Sequence, residues 1–304
     1  MINVPPLCLG DQVALCATAR AVSPAEMQPA VAMLTSWGFR VVVPDGLYEC
    51  DGQLAGSDSH RAAVMQHLLD DPDIRAIVCC RGGYGTVRIV DRLDFTRFAA
   101  SPKWIVGYSD VTVLHSHLHA TLGVPTLHAT MPVNIGAEPS PATESLRRAL
   151  AGQPLEYHWD VVVPTGGASD AELDITAPVV GGNLSILYSL LGSPSQIDTR
   201  GKILLVEDLD EYLYHVDRMM QALRRAGMLD GIAALLVGGM TDMHDNAVPF
   251  GRNAHQIVAE VAAQCGCPLL TGAPFGHLGD GNMALPLGLP VNLCVHGGHV
   301  GLSV

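Results

Sequence analysis

Short apolar segments rich in β-branched residues alternate with helical patterns through the first half of this 304-residue chain. Strands that alternate with helices form parallel sheets covered on both faces, so the sequence predicts an α/β fold. Ligands of such sheets bind beyond the carboxyl ends of the strands, which directs the search for a site to those loops. The predicted strands are QVALCAT, FRVVVPD, IRAIVCC, KWIVGYS and VPTLHAT.

Two of the connecting segments carry helix-start signals. Ser23 followed by Pro24 is typical of a helix N-cap and the first helical position. The segment SDSHRAAVMQHLLDDPD opens in the same way on a Ser/Asp cap. Both segments are therefore predicted helices between strands of the first sheet.

The pattern weakens over residues 136–178, which are rich in Pro, Gly, Ala and acidic residues. A chain of this length holds about two domains at the usual ~100–200 residues each. We therefore predict a nucleophile-bearing N-terminal α/β domain at 1–135, an interdomain connection at 136–178, and a smaller mixed α/β domain at 179–304.

Composition excludes several classes of partner. The formal net charge is −13 and no basic block is present, which argues against nucleic acid, because phosphate contacts need clustered Lys and Arg. No apolar segment approaches the ~20 residues of a membrane span, and the N-terminus has no signal-peptide pattern. We expect a cytoplasmic protein with no membrane partner.

The eight cysteines form no pair of CxxC motifs at zinc spacing, so reduced and mostly buried thiols are expected. Cys265 and Cys267 leave a redox or metal pair as a lesser alternative. His115 and His119 share a helix face at the i, i+4 spacing that suits zinc, but the intervening glutamate of a zinc protease is missing. No metal site is predicted.

Ser109 follows the apolar run Trp104–Val106 at the start of a predicted helix. A hydroxyl on a sharp strand-to-helix corner is a typical position for a nucleophile, and the backbone N–H of Asp110 would then help to stabilise an oxyanion. The alternative is that Ser109 is only a helix N-cap. The two readings are equally weighted by the local pattern.

The loop RGGYG follows the preceding strand and is expected at the same sheet edge. Its glycines permit close backbone approach to a substrate, and the N–H of Gly83 is the candidate second oxyanion donor. A structural glycine turn is the alternative. The spacing does not match a dinucleotide-binding fingerprint.

A serine nucleophile needs a base, and the base needs an orienting partner. His277 lies in a glycine-rich loop after an apolar strand and is the candidate base among thirteen histidines. Glu207 ends a wholly apolar strand, where an acid is costly unless it is paired, and is the candidate partner. A salt bridge from Glu207 to Arg218 is the alternative.

Five motifs, in order over nearly the whole chain, resemble those of the LD-carboxypeptidases, also called muramoyltetrapeptide carboxypeptidases, a family that includes the microcin-immunity peptidases. The resemblance implies a serine peptidase in which Ser109 is the nucleophile, His277 the base and Glu207 the acid. It also implies an N-terminal domain like the class I glutamine amidotransferases, a homodimer, and no cofactor. The motifs are RGGYGTVRIVDRLDF, WIVGYSDVTVLH, GGNLSILYSLLGS, LLVEDLDEYLYHVDRMMQALRRAG and FGHLGDGNMALPLG.

The expected activity is hydrolysis of the L,D bond to the terminal D-alanine of a peptidoglycan tetrapeptide, in murein recycling. The alternatives are a microcin-immunity type peptidase that cleaves a peptidyl or aminoacyl-nucleotide amide, and a non-catalytic muropeptide-binding protein. Arg81 is the candidate contact for the terminal carboxylate, with pairing to an acidic neighbour or a dimer partner as the alternative. The loop ATARAVSP departs from the Ala-Pro-Ser type common in the family, so the resemblance carries no substrate contact over to it.

Overall fold

The structure is a computed structural model that describes residues 4–161, 172–279 and 281–304. The strands are β1 Gln12–Cys16, β2 Arg40–Val42, β3 Ile74–Cys79, β4 Trp104–Gly107, β5 Thr126–His128, β6 Glu156–Asp160, β7 Leu173–Asn183, β8 Ile203–Leu209, β9 Ala234–Thr241, β10 Leu269–Thr271, β11 Leu285–Leu287, β12 Pro290–His296 and β13 His299–Ser303. The α-helices are α1 Pro24–Ser36, α2 Asp58–Asp70, α3 Thr96–Ala100, α4 Thr112–Leu122, α5 Pro141–Leu150, α6 Leu184–Ser189, α7 Leu213–Arg225 and α8 Ala254–Cys265.

The first sheet has the order β11-β5-β4-β3-β1-β2. Strands β1 to β5 are parallel to one another, as the alternation with helices predicts, and β11 joins the edge antiparallel to β5. Helix α1 begins with the expected cap, since Ser23 Oγ accepts from the Glu26 N–H at 3.4 Å and the Glu26 carboxylate accepts from the Ser23 N–H at 2.8 Å. Ser57 caps α2 in the same position.

The second sheet has the order β10-β9-β8-β7-β12-β13-β6. Strands β7 to β10 are parallel, whereas β12, β13 and β6 form an antiparallel extension. A mixed α/β fold with two sheets is therefore confirmed. The predicted domain boundaries and the likeness to glutamine amidotransferases stay predictions.

Residues 136–178, where the sequence pattern weakens, contain regular structure, and their role as an interdomain connection stays a prediction. Helix α5 lies there, β6 pairs with β13, and β7 begins at Leu173. The start of α5 has the same Ser-Pro signal as α1, because Ser140 is its N-cap and Pro141 its first residue. Strand β6 has no comparable local signal, since its pairing partner β13 lies 139 to 147 positions further along the chain. Most of the segment VVVPTGGASDAEL lies outside the described residues.

Buried strands hold the candidate site in place. All four residues of β4 are buried, and so are the first six residues of β8, from Ile203 to Asp208. Each fully buried Val, Leu or Ile side chain contributes about 1.5–3 kcal/mol. Ser109 and Glu207 are therefore attached to backbone that can hardly move.

The loop that carries His277 connects the two sheets. Strand β10, before it, is an edge strand of the second sheet, and β11, after it, is an edge strand of the first. Thr112 at the start of α4 adds a second link, because its Oγ1 accepts a hydrogen bond of 3.0 Å from the N–H of Asn183 at the end of β7. The carboxyl ends of β4 and β8 therefore lie at the junction between the two sheets. No helix of the described ranges is long and apolar enough to cross a membrane.

Candidate active site

Ser109 has a strained backbone. Its φ is 62°, in the left-handed region that a non-glycine residue occupies at a cost of about 1–3 kcal/mol, and such strain concentrates at functional sites. It is the first residue of a 3-10 turn, Ser109–Val111, that leads into α4. The N-cap alternative is wrong, because Tyr108 precedes that turn as its cap and Val111 caps α4. The Ser109 side chain is half-buried and, within the described residues, makes no hydrogen bond.

The glycine loop after β3 packs directly on the Ser109 turn. A Cβ at Gly82 would lie 2.8 Å from Ser109 Oγ and 3.3 Å from the backbone N of Asp110, so only glycine fits there. In the part of the chain that the structure describes, the N–H groups of Gly83 and Asp110 donate to no protein atom. Two unused donors thus lie around Ser109, and their role in an oxyanion hole stays a prediction.

The Asp110 carboxyl group ties this turn to the glycine loop. It is buried, and its Oδ2 accepts from the Thr86 N–H at 2.9 Å. Burial raises the pKa of Asp110, although the hydrogen bond from Thr86 and the charge of Arg61 oppose the shift. The Asp110 carboxyl group therefore holds the glycine loop against the Ser109 turn, in addition to the oxyanion role predicted for the Asp110 N–H.

Arg61 is a buried cation that the sequence analysis missed. It lies on α2 with a relative exposure of 1%, and it pairs with Asp58 one turn earlier. Its guanidinium donates to the carbonyl oxygens of Thr18 at 2.5 Å and Gly85 at 2.9 Å. Arg61 thereby fixes the loops that follow β1 and β3. The local pattern of α2 gives no signal for this, because arginine in a helix is normally exposed.

Glu207 and His277 form the closest polar pair of the site. Glu207 is fully buried, and its Oε2 accepts from His277 Nδ1 at 2.6 Å and from the His277 backbone N–H at 3.1 Å. The alternative partner, Arg218, instead lies 5.2 Å from the ring centre of Tyr214, so that alternative is wrong. Gly276 permits the contact, since a Cβ there would lie 2.5 Å from Glu207 Oε2 and its φ is 93°.

The pKa shifts of this pair suit a base and its acceptor. Burial works to raise the pKa of Glu207, but the hydrogen bond and charge of His277 outweigh it, and the net shift is downward. For His277, burial works to lower the pKa, and the hydrogen bond and charge of Glu207 raise it overall. An ionised Glu207 accepts a hydrogen bond from the N–H at Nδ1 and so keeps the proton on that nitrogen. Nε2 of the neutral ring then carries the lone pair, and no described residue bonds to it.

Tyr108 joins the two halves of the site. Its ring centre lies 4.8 Å from that of His277, so the residue before Ser109 contacts the candidate base. No hydrogen bond joins Ser109 Oγ to His277 in the described structure. Catalytic hydrogen bonds are often long in unliganded enzymes, and the complete triad stays a prediction.

A set of buried polar groups lies behind this contact, and the sequence analysis missed it. His128, at the carboxyl end of β5, is fully buried with its ring centre 5.8 Å from that of Tyr108, and burial lowers its pKa to about 4. Asn282 Oδ1 accepts from the Gly276 N–H at 2.7 Å and holds the His277 loop. A cavity of about 210 Å³ beside Tyr108 is lined by Asn134 and Asn282 among others. The position of His128 at the carboxyl end of a predicted strand was the sequence signal that could have identified it as a site residue.

The metal and redox alternatives gain no support. His115 Nε2 donates to the Gly107 carbonyl oxygen at 2.9 Å, and burial lowers its pKa to about 3. Across the described ranges no group of three or more His, Cys, Asp or Glu residues is placed to hold a metal. All eight cysteines are free thiols, and burial raises the pKa of Cys267 to about 11.

Arg81 pairs with an acidic neighbour, which was the alternative to a role in substrate binding. Its guanidinium lies 2.9 Å from Glu26 Oε1 and donates to the Ala21 carbonyl oxygen at 3.1 Å. A substrate carboxylate would have to compete with Glu26 for it.

Comparison with known proteins decides the family. A profile of the LD-carboxypeptidase N-terminal domain matches residues 13–129, and a profile of the LD-carboxypeptidase C-terminal domain matches residues 176–293. The chain belongs to the LD-carboxypeptidase family. Membership in this peptidase family confirms the resemblance carried by the five sequence motifs.

Named relatives of this LD-carboxypeptidase family member fall into two groups. A probable murein peptide carboxypeptidase of Bacillus subtilis is 34% identical over 94% of this chain and 90% of its own. The crystal structure of a muramoyltetrapeptide carboxypeptidase from Oxalobacter formigenes has a TM-score of 0.84 at 27% identity, over 95% of this chain and 98% of that one. The microcin C7 self-immunity protein of Escherichia coli is 23% identical over 93% of this chain and 90% of its own.

Proposed function

We propose that this LD-carboxypeptidase family member is a serine carboxypeptidase that hydrolyses the L,D bond to the terminal D-alanine of peptidoglycan tetrapeptides. The Glu207–His277 pair carries the proposal, because it is a hydrogen-bonded base and acceptor whose histidine ring contacts Tyr108, the residue before the strained Ser109. The names of the Bacillus and Oxalobacter relatives, a probable murein peptide carboxypeptidase and a muramoyltetrapeptide carboxypeptidase, support the substrate class.

The mechanism follows from these groups. Ser109 Oγ attacks the carbonyl carbon of the scissile bond while His277 Nε2 accepts its proton, and Glu207 stabilises the imidazolium. The N–H groups of Gly83 and Asp110 bind the oxyanion, an effect of about 10²–10³ in rate per donor. His277 then protonates the leaving D-alanine amine. Water, activated by the same histidine, hydrolyses the acyl-enzyme and regenerates Ser109.

Mass spectrometry tests the proposal directly. A murein tetrapeptide incubated with the protein should lose one alanine, and the same peptide ending in L-alanine should be cut far more slowly. Ser109→Ala and His277→Ala should each abolish most turnover, and the double variant should be no worse than either single one, because the pair acts as a unit. An active Ser109→Ala variant would exclude the serine mechanism.

The microcin-immunity relative supplies a second substrate class for the same assay. An aminoacyl-nucleotide amide should be cleaved more slowly than the tetrapeptide, since a nucleotide base calls for aromatic stacking and only 5% of the residues are Phe, Trp or Tyr. Preferred cleavage of the nucleotide amide would move the assignment to detoxification.

The family resemblance also underlies two proposals on setting and assembly. The enzyme acts in the cytoplasm on peptides released from murein, and it is a homodimer. Light scattering of the purified protein measures the assembly, and a mass of one chain would exclude the dimer. Fractionation of the source cells measures the location.

A further inference from the structure

Arg20 is an unpaired cation at the carboxyl edge of the first sheet. It lies in the loop that follows β1, its side chain is exposed, and among the described residues it makes no ion pair or hydrogen bond. The other arginines of this edge are engaged, since Arg81 pairs with Glu26, and both Arg61 and Arg88 pair with Asp58. Only Arg20 of this group presents a free guanidinium.

The backbone of Arg20 is held in place on both sides. The N–H of Ala21 donates to the Gln53 carbonyl oxygen at 3.0 Å, and the Ala19 carbonyl oxygen accepts from the Ala55 N–H at 3.0 Å. Arg20 itself forms an antiparallel bridge with Leu54. A cation on such an anchored backbone binds a ligand at a small cost in backbone order.

The side chain of Arg20 lies over the glycine loop, one residue from the nucleophile contact. A Cβ at Gly83 would lie 2.6 Å from both Cδ and Nε of Arg20, whereas the corresponding atom at Gly82 would lie 2.8 Å from Ser109 Oγ. Consecutive Cα atoms are ~3.8 Å apart. The cation and the serine hydroxyl therefore contact neighbouring residues of the same loop.

This spacing matches the end of a carboxypeptidase substrate. The scissile carbonyl carbon and the terminal carboxylate carbon are separated by one N–Cα unit, which spans less than ~4 Å. An arginine fork binds a carboxylate through two parallel hydrogen bonds, with a specificity that a lysine lacks. A local cation is needed because the chain has a net charge of −13, which repels an anionic peptide.

We infer that Arg20 binds the terminal carboxylate of the residue that leaves, and so makes the enzyme an exopeptidase. The inference rests on the proposed function and refines it. It reassigns the carboxylate contact from Arg81 to the loop ATARAVSP, for which the family resemblance implied no substrate contact.

The test compares a tetrapeptide with its C-terminal amide. The wild type should prefer the free acid, and Arg20→Gln should lower kcat/KM for the acid by roughly ten- to hundredfold, mostly through KM, while the amide rate stays unchanged. Arg20→Lys should recover only part of the loss. Arg225→Gln is the matched control, since Arg225 is an exposed arginine on α7 with no described partner.

A binding measurement keeps this test separate from the proposed function. Calorimetry on the Ser109→Ala protein should show tighter binding of the acid than of the amide, and the additional Arg20→Gln change should remove the difference. Absence of any wild-type turnover would defeat the proposed function alone. An acid preference that survives Arg20→Gln, or that disappears in Arg81→Gln instead, would overturn the assignment to Arg20. Thermal melts of each variant confirm that the fold is kept.

Discussion

Glu207 Oε2 accepts two hydrogen bonds from His277, one from the ring at 2.6 Å and one from the backbone at 3.1 Å. The double contact fixes both the position of the loop and the tautomer of the ring. A carboxylate that receives a backbone N–H and a ring N–H of the same residue leaves that ring little freedom to rotate. The orientation of the candidate base is thus set by one buried oxygen atom.

Replacing the Glu207 carboxylate should cause a large loss of kcat. In Glu207→Gln an NH2 group, which donates, replaces one of the two carboxylate oxygens. The change favours the wrong histidine tautomer, and kcat should fall by about 10³–10⁴-fold. Steady-state kinetics on the tetrapeptide measure the loss. Glu49→Gln, at an exposed position, is the control and should leave kcat unchanged. A fall of less than tenfold in Glu207→Gln would contradict the role given to this carboxylate.

The pH profile should report the raised pKa of His277. The base works only when neutral, so kcat/KM falls as the pH drops through that pKa. Because Glu207 shifts it upward, the midpoint of the acidic limb should lie above the ordinary value of 6.5. In Glu207→Gln the cause of the shift is gone, and the limb of the residual activity should move to lower pH. If the acidic limb of kcat/KM had the same midpoint in the wild type and in Glu207→Gln, the Glu207–His277 pair would not be its origin.

Gly82→Ala should damage catalysis more than folding. The added Cβ would lie 2.8 Å from Ser109 Oγ, and displacement of a nucleophile by about 1 Å can cost on the order of 10²-fold in kcat. Gly82 does not have a left-handed backbone, so alanine adds no backbone strain there. Gly136→Ala, where a Cβ meets no atom within 4 Å, is the matched control. Equal kcat values for the two variants would argue against a tight fit at Ser109.

Chelation should leave the rate unchanged. The proposed mechanism uses only Ser109, His277, Glu207 and backbone N–H groups, none of which requires a metal. Turnover is measured before and after treatment with EDTA, with a serine-directed acylating reagent as the positive control for inactivation. Strong loss of activity that added zinc restores would transfer the assignment to His115 and His119.

Local signals in the sequence predicted the elements of the first sheet. Ser23 with Pro24 marks the start of α1, and the apolar run before Ser109 marks β4, because caps and hydrophobic runs act within a few residues. Ser140 with Pro141 carries the same signal for the start of α5, but the surrounding Pro- and Gly-rich composition is that of a linker and masks it. The family motifs added Ser109, Glu207 and His277 as the candidate triad.

Only the tertiary structure decided which of these groups meet. The pairing of Glu207 with His277 rather than with Arg218 depends on β8 and the loop after β10 being adjacent, and those segments are 70 positions apart. The burial of Arg61 likewise depends on the loops after β1 and β3 meeting around it, since its guanidinium bonds to Thr18 and Gly85. Among the described residues, the Arg20 side chain has no partner for the same kind of long-range reason. Helix caps and strand runs are short-range and can be identified in the sequence. Charge pairing and burial are set by long-range packing, so the sequence supplied the reactive groups and the fold selected their partners.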